Sequence, residues 1–173
     1  MQLGRAIDAL RLDSDDRSDS QSLSIALQRR FRVFQTILVA LDNPELSEQI
    51  MQAVTQIKLQ PSDQVILTHV MPSSESMLDQ PADRPSNDPQ GLYRQIEQRL
   101  KTRQEELSCQ TELEIVAGDP AEEIVRLANI HKAQLIVIGT RGLTGVNRIL
   151  KGSVSSQVVS EAHCSVMVVK PNS

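Results

Sequence analysis

From Gln35 onward, apolar runs of strand length alternate with amphipathic stretches of helical spacing, and no other feature constrains the fold as much. Thr36–Leu41 (TILVAL) is a continuous apolar run, too short for a helix and bounded by polar residues. Asn43-Pro44 follows, a capping residue with proline at the first helical position, and Leu46, Ile50, Val54 and Ile57 then mark one helical face running to about Gln60-Pro61. Val65–Val70 (VILTHV) reads as a second strand, and residues 72–90, rich in Pro, Ser, Asp and Asn, as a long loop. Asp88-Pro89 repeats the cap-plus-proline signal ahead of a helix carried by Leu92, Ile96, Leu100 and Leu107.

Thr111–Val116 alternates, with Leu113 and Ile115 on one face and Glu112 and Glu114 on the other, as a half-exposed edge strand does. Asp119-Pro120 opens a third helix, with Glu122 at the capping-box position. Leu135–Ile138 is a buried strand, Thr140–Gly152 a glycine-bearing loop, Val154–Ala162 a short helix and Ser165–Val169 a last strand. Parallel neighbours require crossover helices, so the order β-α-β-α-β-α-β-α-β predicts an α/β fold. Its five-stranded parallel sheet is doubly wound, with helices on both faces.

Chemistry concentrates at one place. Gly139-Thr140-Arg141-Gly142 follows a buried strand, and nine residues later Gly152-Ser153 precedes a helix. Ligands of open α/β sheets sit beyond the carboxyl ends of the strands. Glycine there lets backbone N–H groups approach an anion with no Cβ in the way. Gly152, Ser153 and Val154 would open the last helix, whose unpaired N–H groups and positive dipole end favour a phosphate. Ser153 and Ser155 add hydroxyl donors, and Arg141 and Lys151 supply cations, although both cations equally suit a solvated loop. Read from spacing alone, the glycines are as compatible with loop shaping as with anion binding.

The arrangement G-x2-G-x9-G-S resembles, at every fixed position, the ATP-binding signature of the universal stress protein family. Flanking segments agree in order: Ile37–Asp42, Thr68-His69-Val70, Gly118–Ile124, Ile136–Gly139, Gly152–Val158 and Ala162-His163-Cys164. Asn43-Pro44 and Ser165 depart from the family pattern, and residues 1–34 have no counterpart in its minimal domain. The resemblance implies a five-stranded parallel sheet of order 3-2-1-4-5, a homodimer, and a role in the stress response. It also implies binding of ATP, or of AMP or ADP, with Mg2+ as an accompanying ion. Carried over by position, Ala40, Asp42 and Val70 would border the adenosine. Gly139, Thr140, Arg141 and Gly142, with Gly152, Ser153, Val154 and Ser155, would hold ribose and phosphates. Asp42 equally suits a supporting role at the start of the first helix.

Composition excludes several classes. Eighteen Lys and Arg against 22 Asp and Glu give a net charge of −4, so the basic footprint of a nucleic-acid binder is missing. The aromatic residues are Phe31, Phe34 and Tyr93, too few for base-stacking platforms. No apolar run approaches the ~20 residues of a membrane span. Acidic residues Asp8, Asp13, Asp15 and Asp16 stand where a signal peptide would have its apolar core, so the expectation is a cytoplasmic protein. Cys109 and Cys164 form neither a CxxC nor a disulfide framework and read as reduced packing residues. The chain has no P-loop and no Gly-x-Ser-x-Gly elbow. His69, His131 and His163 share no ligand spacing with one another or with the cysteines, so neither a catalytic residue nor a metal set is legible.

Residues 1–34 read as a separate extension: a short amphipathic stretch over 2–11, a polar linker over 13–21, and a second stretch ending in a basic cluster at Arg29–Phe34. Residues 35–173 carry the nucleotide-binding domain. Three functions fit this reading. The first is a nucleotide-binding regulatory protein acting by nucleotide-dependent interaction. The second is a slow ATPase, for which Asp42 is the sole candidate to position water. The third is a nucleotide-independent adaptor whose protein partner docks on the extension. The apolar run Val166–Val169, at the sheet edge under the order 3-2-1-4-5, predicts that the homodimer forms through the last strand.

Overall fold

The computed structural model describes residues 34–71, 89–140 and 154–171, all within one unit that begins at Phe34. The expectations for residues 1–33, the 72–88 segment and the 141–153 loop lie outside the described residues. Strand β1 is Thr36–Ala40, β2 Gln64–Met71, β3 Gln110–Ala117, β4 Leu135–Gly139 and β5 Ser165–Val169. The helices are α1 Pro44–Gln56, α2 Pro89–Gln104, α3 Pro120–Ile130 and α4 Val154–Glu161. All strand pairs are parallel and the sheet order is β3-β2-β1-β4-β5.

This order explains why β1 is apolar without interruption. As the central strand it is covered on both faces, and Ile37, Leu38 and Val39 have no exposed surface. Ile37, Val39 and Leu41 pack into a core with Leu46, Ile50, Met51 and Val54 of α1 and Ile96 and Leu100 of α2. Leu38 and Ala40 point the other way, into a second core with Ala121, Ile124 and Leu127 of α3 and Val158 of α4. Each fully buried aliphatic side chain contributes about 1.5–3 kcal/mol relative to exposure. A right-handed crossover sends α1 and α2 to one face, as the chain steps from β1 to β3. It sends α3 and α4 to the other, as the chain crosses to β4 and β5.

The caps at Asn43 and Asp119 form as the sequence dictates. Asn43 Oδ1 accepts from the Leu46 N–H at 2.8 Å, with Pro44 at the first helical position. Asp119 Oδ1 accepts from the Ala121 and Glu122 N–H groups at 3.0 and 3.1 Å. Two helices stop earlier than their apolar spacing suggests. Helix α1 ends at Gln56, because Ile57 turns to extended backbone and packs with Leu59 onto the core from outside the helix. Helix α2 ends at Gln104, and Leu107 reaches the same core from the following turn.

Among the described residues no helix is long and apolar enough to cross a membrane. Thr68, level with Ala40 in the β1–β2 register, is fully buried, and its hydroxyl has no hydrogen-bond partner among the described residues.

Candidate functional site

Where two neighbouring strands send their chains to opposite faces, a crevice opens beyond their carboxyl ends. Here β1 and β4 are those neighbours. Val39 pairs with Val137 and Ala40 with Ile138, after which β1 leads to α1 on one face and β4 leads towards α4 on the other. Ala40 is buried beside Ile138 at the crevice floor, whereas Asp42, two residues on, is exposed. The Leu41 N–H donates to the Thr68 carbonyl at 2.9 Å and the Thr140 N–H to the Val169 carbonyl at 2.9 Å. Those two donors are therefore committed to neighbouring strands.

The structure brings the carboxyl ends carrying Ala40, Asp42, Gly139 and Thr140 together. Val70 lies on β2, two residues beyond Thr68, the register partner of Ala40, and its side chain packs against the α3–α4 core. Val154 and Ser155 form the first turn of α4, the former exposed and the latter buried. Arg141, Gly142, Gly152 and Ser153 lie outside the described residues.

Gly139 has a second reason to be glycine. A Cβ built there would stand 2.4 Å from Leu46 Cδ2 and 3.0 Å from Ile50 Cδ1, so α1 packs directly on this position. The first glycine of the signature is thus constrained by the packing of α1, whatever binds beyond it.

A cleft of about 240 Å³ adjoins the crevice on the α1–α2 face, lined by Asp42, Ser47, His69, Arg99 and Arg103 among others. His69 Nδ1 lies 2.8 Å from the Leu41 carbonyl oxygen; because a carbonyl only accepts, Nδ1 carries the proton and Nε2 is left as the acceptor in the neutral ring. Arg103 is paired with Glu106 at 2.7 Å. Sequence reasoning missed Arg99 and Arg103; their one signal is an i,i+4 spacing, which places both on one helical face. Burial pushes the Cys109 and Cys164 thiols up from their ordinary value, which keeps both protonated and unreactive at neutral pH.

Comparison with known proteins agrees with this fold. Residues 34–170 match the Universal stress protein family. A universal stress protein of Thermus aquaticus is 32% identical over 143 residues, covering 80% of this chain and 100% of that one. Universal stress protein MJ0531 of Methanocaldococcus jannaschii is 49% identical over a shorter stretch of 72 residues, 42% of each chain. Among solved structures, protein MJ0577 of the same organism superposes with a TM-score of 0.64 at 26% identity, covering 82% of this chain and 99% of that one.

Two more distant structures share the fold. One is a universal stress protein in complex with cAMP, with TM-score 0.58 and 23% identity over 82% of this chain and 100% of that one. The other is the Archaeoglobus fulgidus universal stress protein in complex with dAMP, with TM-score 0.54 and 20% identity over 80% of this chain and 100% of that one. With the family match spanning four-fifths of its length and the sheet order in agreement, the chain belongs to the universal stress protein family.

Proposed function

We propose that this protein binds an adenine nucleotide, ATP first among them, in the β1–β4 crevice and acts in the stress response through nucleotide-dependent interaction rather than turnover. The observation that carries the reading is the Ala40–Ile138 register. It sets Asp42 and Gly139 on adjacent strand ends at the point where the chain departs to opposite faces, with the G-x2-G-x9-G-S signature beginning at Gly139. The chemistry fits the ligand. The exposed Asp42 carboxylate can accept from an adenine amino or ribose hydroxyl group, and Ala40 and Val70 offer apolar contact to the base. The signature residues Gly142, Gly152 and Ser153, with Val154 and Ser155 at the start of α4, supply N–H and hydroxyl donors for phosphates. The relatives solved with cAMP and dAMP support an adenine nucleotide as the ligand class.

Regulation rather than catalysis is favoured because the sequence shows no dedicated water-positioning base beyond Asp42, and Asp42 stands at the adenosine end in this reading. The assembly that responds to the nucleotide is a homodimer built on β5. This strand is one of the two sheet edges, and its Met167 and Val168 side chains are exposed. The extension ahead of Phe34 is the second interaction surface and is dispensable for nucleotide binding.

Calorimetric titration with ATP tests the site. Gly142→Val sets a branched side chain where backbone should approach phosphate, and affinity should fall several-fold to a hundredfold, about 1–3 kcal/mol for a lost anion-bound N–H. Equal ATP affinity in this variant and the parent would remove the assignment.

A further inference from the structure

The edge strand β3 carries Glu112 and Glu114 on one face, and α3 closes with His131 as its C-cap directly against them. His131 Nε2 lies 3.2 Å from Glu114 Oε1 and Nδ1 lies 3.7 Å from Glu112 Oε2. One ligand atom from each of the three residues can be chosen so that all lie within 4.8 Å of one another. Alternation alone predicts a glutamate face turned to water, whereas the fold turns it onto an imidazole whose side chain is only 12% exposed.

The group is incompletely matched as a set of hydrogen bonds. Two carboxylates on one strand face repel each other, and a neutral imidazole has one N–H to offer between them. Arg126 acts on Glu114 only through space, since its guanidinium donates to Glu123 at 2.6 and 2.9 Å. Gln64 Nε2 donates to Glu112 Oε2 at 3.1 Å, which orients that carboxylate as outer partners of metal ligands do. What would complete the cluster is a cation held by all three residues.

We propose that Glu112, Glu114 and His131 bind a divalent first-row metal ion, for which Zn2+ is the best-matched probe. Two carboxylates and an imidazole are ordinary zinc ligands at ~2.0–2.2 Å, which sets neighbouring ligand atoms about 3–3.5 Å apart. The Glu114–His131 pair already has that spacing, and Glu112 needs only a side-chain adjustment to join it.

The backbone supports the ligands rigidly. His131 is held by its N–H to the Leu127 carbonyl at 3.0 Å, and the chain reverses at Lys132, whose φ is 53°. The Ala133 N–H then closes back on the Ala128 carbonyl at 2.8 Å, a Schellman closure of α3. The cluster sits on the outer strand, with β2 between it and β1, so it is separate from the β1–β4 crevice and independent of the nucleotide reading.

Zinc chloride titrated into the full, nucleotide-free chain and followed by calorimetry tests the site. The parent should take up one ion per chain. Glu114→Gln and His131→Gln, near-isosteric changes at the sheet edge, should each weaken it about tenfold or more. His163→Gln, at an exposed position after α4, should leave it unchanged. In the parent itself, ring resonances of the three histidines give a reading that needs no variant, and Zn2+ should shift those of His131 alone. Zinc affinity in both cluster variants equal to the parent's, a shift confined to His69 or His163, or no saturable uptake would each overturn the proposal.

Discussion

Gly139 and Leu46 are in such close contact that a methyl group on the glycine would overlap the leucine side chain, at 2.4 Å from Cδ2 and 2.6 Å from Cγ. Leu46 has its N–H capped by Asn43, which fixes its backbone, and its side chain is buried in the α1 core. Gly139→Ala should therefore destabilise the fold by about 1–3 kcal/mol through overpacking, read as a shifted denaturant midpoint with an unchanged slope. Combining it with Leu46→Ala should cost less than the sum of the two single changes, because the second change removes the side chain that the new methyl overlaps and the methyl fills part of the space it leaves. Strict additivity in that double-mutant cycle would show that the glycine is needed for something other than α1 packing.

The buried Thr68 hydroxyl is the converse case, a polar atom with no partner among the described residues. Thr68→Val keeps the shape and removes the orphan donor, so stability should rise by about 1 kcal/mol. Chemical denaturation decides this, and a loss of stability would mean that the hydroxyl has a partner in solution.

At the phosphate end of the proposed site, Ser153→Ala should weaken ATP more than adenosine, because only phosphates would reach the start of α4. Competition binding with the two ligands separates the cases. An equal loss for adenosine would reverse the orientation of the nucleotide.

Val168→Lys places a charge on the exposed edge of β5 and should convert a dimer to monomer or aggregate in light scattering. A parent chain that is already monomeric at about tens of micromolar, the range in which a stable dimer would persist, contradicts the edge-pairing reading.

A chain beginning at Phe34 should melt within a few degrees of the full-length protein and bind ATP equally well. The first 33 residues contain a polar linker and too few apolar side chains to build a core. A large drop in melting temperature would mean that the extension packs on the domain.

Much of this molecule is legible from its sequence because the relevant physics is local. An uninterrupted Ile37-Leu38-Val39 run needs cover on both faces; Asn43-Pro44 and Asp119-Pro120 announce helix starts; and the β-α alternation leaves few ways to connect parallel strands. The glycine signature is local too, and it marks the loop before any fold is known.

What only the tertiary structure decided depends on residues far apart in the chain. The overlap awaiting a Cβ at Gly139 comes from Leu46, and the arginines of the α2 cleft face Asp42 across a helix–sheet boundary. His131 meets Glu112 and Glu114 because α3 ends against the outer strand, although no motif spacing connects a helix C-cap to a strand that precedes the helix. Periodicity tells which face of an element is apolar, but the register and crossover hand decide which polar side chains from different elements come within bonding distance.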